Sequence, residues 1–186
     1  FIDACGLCAG GTTGIEPRPS DCPSGPDLII DRNDIVDSLR IDTLTTDPGA
    51  CFLNEGCLTG TGERTLLRFT TTIANIGTED MVLGNPGDDE PWWVWDDCHS
   101  HWHYEGYAQY DLRDHVTGET LPIGQKTGFC VMDLGIWDIT MTPGGAGCRG
   151  YSCGGVLGQG VTMGCSDTYH WSLSCQWLDI TDVPDG

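Results

Sequence analysis

Apolar and polar positions in this chain alternate over short stretches, and nowhere do they hold a helical period for a dozen residues. β-Branched and aromatic residues gather in "DLIID" (27–31), "LLRFTTTIAN" (66–75), "WWVW" (92–95), "HWHYEGYAQYDL" (101–112), "GVTMG" (160–164) and "CQWLDITDV" (175–183). Such segments suit a pleated, half-buried surface and predict strands. Turn signals separate them, among them Asn85-Pro86-Gly87-Asp88 and Thr117-Gly118. The pattern predicts an all-β fold, a sandwich or barrel-like domain with long disulfide-tied loops and little helix. Residues 1–26 hold Gly, Pro and Cys without apolar periodicity and read as an irregular leader pinned by cysteines, so the domain is expected to start at Asp27 and run to Gly186.

Length supports one domain, since 186 residues can enclose a single sizeable core and no internal repeat is visible. No apolar run approaches the roughly 20 residues that cross a bilayer, and the chain begins at Phe1 without an initiator Met. A soluble, processed product with no membrane span is expected. Eleven cysteines scattered along the chain point to a disulfide framework and an oxidising compartment, hence a secreted protein, extracellular or periplasmic. Cys5-Gly-Leu-Cys8 forms a C-x-x-C half-site, but no second one accompanies it to complete a zinc knuckle. An odd cysteine count leaves at least one thiol outside any internal pairing.

Charge narrows the partners. With 28 acidic residues against 8 basic ones the formal net charge is −20, which argues against nucleic acid, whose phosphates need neutralising cations. Attraction of cationic substrates and plain solubility in a salty medium both remain open.

The candidate chemistry sits in "CHSHWHYEGY", where His99, His101 and His103 occupy alternating positions although the chain has only five histidines. On a strand, residues two apart project from one face, so the three imidazoles are expected to converge, with Trp102 and Tyr104 on the opposite, apolar face. Three imidazoles suit zinc with an open fourth position and suit copper as well; spacing does not choose between them. Elsewhere the chain holds a single lysine, Lys126 in "GQKTGFC", while seven of its eight basic residues are arginine. Salt adaptation sheds lysine, and so would an enzyme that oxidises lysyl amines. The retained lysine is then the one to explain.

Taken together, "WDDCHSHWHYEGYAQYDL", "GQKTGFC" and "GCSDTYHWSLSCQWLDITDV" resemble the catalytic domain of the lysyl oxidase family, with its Cys-His-x-His-x-His, Gly-x-Lys-x-x-Phe-Cys and Cys-x-Asp-x-Tyr segments. "PDLIID", the Cys51 and Cys57 pair, and "LLRFTTTIANIGTED" follow in the family's order, so the resemblance runs from Pro26 to the last residue. It implies copper held by His99, His101 and His103, and a lysine tyrosylquinone built from Tyr169, the ring that is oxidised, and Lys126, the amine that adds to it. It implies oxidative deamination of primary amines, peptidyl lysine being one class, to aldehyde, with dioxygen consumed and hydrogen peroxide and ammonia released. Asp167, two residues before Tyr169, is the candidate base for the α-proton; a turn or cap role is its alternative. His115 and His170 lie outside the copper motif and are expected to be surface or packing residues.

The resemblance also implies disulfides Cys51–Cys98, Cys57–Cys175, Cys130–Cys153 and Cys148–Cys165. In some family members an aspartate and the next carbonyl, here Asp27 and Leu28, help to bind calcium. Four departures are visible. Family domains continue past "ITDVPDG" with further strands, so this chain is expected to lack the C-terminal strands. The insert between Cys130 and Cys148 is longer than usual, Cys5, Cys8 and Cys22 have no counterpart, and "YEGY" after His103 differs from the usual animal sequence, so substrate preference is not carried over; a microbial member of the family is expected. A three-His zinc hydrolase and a non-catalytic metal-binding extracellular domain are the rival readings.

Overall fold

A computed structural model describes residues 24–86 and 90–184. In chain order its elements are β1 (Leu28–Ile30), α1 (Arg32–Ser38), β2 (Arg40–Thr46), α2 (Cys51–Asn54), β3 (Gly62–Arg68), β4 (Thr71–Asn75), β5 (Met81–Gly84), β6 (Trp93–Asp96), β7 (His101–Glu105), β8 (Gly128–Phe129), β9 (Gly135–Ile136), β10 (Gln159–Val161), β11 (Cys165–Tyr169) and β12 (Trp177–Asp179). They pair as four antiparallel sheets, ordered β1-β4-β11-β9, β10-β5, β12-β3-β2 and β6-β7-β8. The all-β expectation with little helix is met. The barrel-like alternative is not, because these small sheets do not close on one another. Most of the expected leader, with Cys5, Cys8 and Cys22, lies outside the described residues.

Sequence and structure part at informative places. "LLRFTTTIAN" folds as two strands, β3 and β4, because the chain turns at Phe69-Thr70, where the Thr70 amide donates to the Ser38 hydroxyl at 2.6 Å. "HWHYEGYAQYDL" is a strand only as far as Glu105, since Gly106 turns the chain at φ +76°, a conformation that costs glycine least. The helix α1 was not legible: Asp31 caps it by accepting from the Asn33 amide, and its seven residues bury no side chain. β2 was missed as well, because it is exposed along nearly its whole length.

The core is divided. One cluster holds Cys57, Leu58, Leu66, Cys175 and Trp177; a second, Ile73, Ala108 and Phe129; a third, Val131, Val161 and Cys165. Clusters this small bury too little apolar surface to fix the loops between them, and disulfides supply the rest. All four implied bridges are present, Cys51–Cys98, Cys57–Cys175, Cys130–Cys153 and Cys148–Cys165, even across the long insert.

Asn75, fully buried at the end of β4, ties three segments together. Its amide nitrogen donates to the Glu79 and Val161 carbonyls at 2.9 and 3.0 Å, and its Oδ1 accepts from the Gly77 and Asp27 amides. Removing the amide leaves buried groups without partners, which is costly. Asn75→Ala is predicted to lose about 3 kcal/mol of stability, read by urea unfolding with the disulfides intact.

Candidate active site

The imidazoles converge, but not from one strand. β7 begins at His101; His99 precedes it on a turn in which Ser100 adopts φ +55°, an uncommon conformation for a residue with a side chain. Asp96 builds that turn. Its Oδ1 accepts from the Cys98 and His99 amides at 2.8 and 3.1 Å, and its carbonyl accepts from the Ser100 amide at 2.7 Å. Its Oδ2 lies 3.0 Å from His103 Nδ1 and 3.3 Å from His99 Nδ1. The result is a compact trio in which one ring nitrogen from each histidine lies within 4.8 Å of the others.

Protonation follows from the surroundings. Burial, then the nearby Lys126 ammonium, push His103 down to about 3, and burial with the His99 charge lowers His101. Asp96 stays below the usual carboxylate range: burial opposes ionisation, but the His99 amide, His103 and the Cys98 amide outweigh it. With His103 donating from Nδ1 to Asp96, its Nε2 carries a lone pair, and that atom lies 3.0 Å from His101 Nε2. Clustered imidazole nitrogens of this kind are what copper or zinc takes as ligands. A carboxylate fixing the far nitrogen is the usual outer support of such a ligand. The donor set therefore fits a metal ion.

Lys126 arrives from β8's side. Gly128 pairs with Glu105 across β7, and the close approach needs glycine: a Cβ there would meet the His103 side chain at 3.0 Å and the Glu105 carboxylate. At the other end Gly124 exchanges backbone hydrogen bonds with Asp179, while the Gln125 side chain pairs with both backbone groups of Tyr110 at 2.7 Å. Between these anchors the Lys126 amine sits 3.2 Å from Glu55 Oε2 and 3.4 Å from His99 Nδ1.

Tyr169 and Asp167 arrive on β11, two residues apart and so on one face, held by β4 in register with Thr71 and Ile73. The Tyr169 ring packs edge-on against Phe129, centroids 5.0 Å apart. One cavity of about 360 Å³ is lined by His99, His101, His103, Lys126, Asp167 and Tyr169. The structure thus brings all six candidates together. The expected cation ligands Asp27 and Leu28 sit elsewhere, at the start of β1. Asp27 joins no group of three or more close imidazole, thiol or carboxylate donors among the described residues. His115 and His170 are exposed.

Comparison with known proteins decides the family. The lysyl oxidase family model matches residues 26–186. The chain belongs to the lysyl oxidase family. It is 34% identical to lysyl oxidase homolog 2 of Bos taurus over 173 residues, 88% of this chain and 21% of that protein. With lysyl oxidase homolog 4 of Homo sapiens it shares 36% identity over 172 residues, 88% of this chain and 21% of that protein. With lysyl oxidase homolog 4 of Bos taurus it shares 34% over 190 residues, 96% of the chain and 23% of that protein. The chain spans about a fifth of the length of these curated relatives. No helix among the described residues is long and apolar enough to cross a membrane.

Within this lysyl oxidase-family cavity the Tyr169 hydroxyl poses a counting problem. It lies 2.8 Å from both the Cys130 carbonyl and Asp167 Oδ2, yet a phenol has one hydrogen to donate. A protonated Asp167 removes the conflict by donating to the phenol while the phenol donates to Cys130. Burial indeed pushes fully buried Asp167 up to about 7, and burial with the Asp167 charge pushes Tyr169 well above its ordinary value. Sequence reasoning missed Asp96 and Glu55; "DDCH" and the Cys51–Cys57 interval contain them, but no spacing rule marks them.

Because the folded pKa of Asp167 is raised, its contribution to stability is full below about pH 4 and is lost as pH rises through about 7. Asp167→Asn, which mimics the neutral carboxyl, is predicted to match the parent at pH 4 and exceed it at pH 8, by up to roughly 4 kcal/mol. Urea unfolding at the two pH values checks this.

Proposed function

We propose that this lysyl oxidase-family chain is a secreted, copper-dependent amine oxidase that converts primary amines, including peptidyl lysine, to aldehydes. The observation that carries the reading is that the imidazole trio and the Lys126 and Tyr169 side chains line one cavity. His99, His101 and His103 would hold the copper, and Lys126 with Tyr169 would form the lysine tyrosylquinone. Those groups would supply the two-electron sink for turning amine, dioxygen and water into aldehyde, ammonia and hydrogen peroxide.

The chain's own residues supply the rest. Asp96 sets the imidazole tautomers, and Glu55 fixes the Lys126 amine beside His99. Met132, Leu134 and Leu173 give the cavity apolar walls, which favour the uncharged form of an entering amine. Asp167 faces the same cavity and accepts the substrate α-proton once it is ionised. A second cavity, of about 290 Å³, shares Lys126 and His103 with the first and is lined by Glu55, Asp96, Asp97 and Glu105. This acidic rim, like the net charge of −20, draws cationic amines and peptides. Secretion agrees with the disulfide framework.

The test is peroxide release from a primary amine by the copper-loaded chain. Activity blocked by phenylhydrazine and reduced at least a hundredfold by Lys126→Arg supports the reading. Peroxide release indifferent to both overturns it. Asp96→Asn is predicted to weaken copper binding 10- to 100-fold, measured by competition with a chelator of known affinity.

A further inference from the structure

Two buried polar atoms in the packing around Tyr169 have no partner among the described residues: Asp167 Oδ1 and the Tyr107 hydroxyl. Orphaned groups of this kind are rare in native proteins because each loses its hydration without replacement. Here the two belong to one neighbourhood. Tyr107 lies just past Gly106, where the chain turns out of β7, and it is packed with Tyr169 and Tyr110 around Ile73, Ala108 and Phe129. Its ring meets Phe129 edge-on at 6.1 Å, and Phe129 in turn meets Tyr169.

The neighbouring phenols are already engaged. Tyr110 donates to the Thr71 hydroxyl at 2.9 Å, and Tyr169 bridges Cys130 and Asp167 Oδ2. Among the described residues of this cluster, the Tyr107 hydroxyl has no acceptor and Asp167 Oδ1 has no donor. Tyr107 packs in the same buried cluster as Tyr169, whose hydroxyl touches Asp167, and burial first, then the Asp167 charge, raise the Tyr107 phenol far above its ordinary value.

We propose that Tyr107 is a positioning residue for Asp167, its hydroxyl donating to Oδ1 when that carboxylate ionises. The proposal rests on the amine oxidase reading for its catalytic consequence, though not for the pairing itself. With the Tyr169 hydrogen committed to the Cys130 carbonyl and the Tyr110 hydrogen to Thr71, Tyr107 is the phenol of this cluster left to donate to the buried carboxylate once Asp167 gives up its own proton. Donation to the charged form favours ionisation, so Tyr107 would bring the base into service at lower pH than burial alone permits.

The groups that bear on the titration are Tyr169 and the Thr168 amide on β11, the Tyr107 and Tyr110 phenols, the Asp133 carboxylate and the Met132 amide. Lys126 and the three imidazoles line the same cavity. β4 presents Ile73 opposite Asp167 and adds no charge there.

Tyr107→Phe removes one oxygen and keeps the ring. The direct readout is pH-dependent infrared difference spectroscopy of the whole chain, with the Asp167 carboxyl band assigned by its loss in Asp167→Asn. The expected result is a midpoint raised by about one pH unit in Tyr107→Phe, and an alkaline displacement of the same size in the pH profile of kcat. At pH 7 that displacement lowers kcat about fivefold from the ionised fraction alone, with KM little changed. An Asp167 midpoint that is unchanged or lower overturns the proposal, whatever happens to melting temperature. A raised midpoint in a chain whose parent oxidises no amine upholds the Tyr107–Asp167 pair and defeats the proposed activity instead.

Discussion

Asp96 carries both ends of the imidazole cluster. One carboxylate oxygen caps the turn that swings His99 back toward the sheet, and the other faces the Nδ1 atoms of His99 and His103. Period-two geometry alone aligns His101 and His103, which share a strand; His99 joins them only because Asp96 stabilises a left-handed Ser100. The same contacts fix the tautomer of His103 and leave its other nitrogen free. The turn before β7 and the His103 tautomer thus both depend on one buried side chain, Asp96.

The remaining groups reach the cavity through strand pairing. β8 beside β7 delivers Lys126, β11 beside β4 delivers Asp167 and Tyr169, and Phe129 packs directly on Tyr169. Three small apolar clusters could not hold these segments in register by burial alone. The bridges act where the site needs them: Cys51–Cys98 at the turn before the histidines, Cys130–Cys153 beside the carbonyl that Tyr169 contacts, and Cys148–Cys165 at the start of β11. Burial that organises the cavity also raises Asp167, so the arrangement gives up stability at alkaline pH in exchange for a carboxyl that titrates near neutrality.

Much of this was legible beforehand. Thr- and Ile-rich runs mark β3 and β4, the aromatic runs mark β6 and β7, and the segments around His99, Lys126 and Tyr169 resembled one family whose four implied disulfide pairs are found here. What escaped was set by tertiary context. β2 is nearly all exposed and has no apolar face to reveal it, while α1 is too short for a helical period to register. The break between β3 and β4 carries no Gly or Pro, because side chains from Ser38 and Thr70 make it. Glu55, Asp96 and Tyr107 matter through the atoms they face, and facing is a property of the fold.

The central claim is that this fold converts Tyr169 and Lys126 into a single cofactor. Peptide mass spectrometry of the copper-loaded, air-exposed protein tests it most directly. The account predicts that the peptides containing Lys126 and Tyr169 are recovered as one covalently joined species, absent from Lys126→Arg. Recovery of the two peptides separate and unmodified, from protein with copper bound at the three histidines, would contradict it.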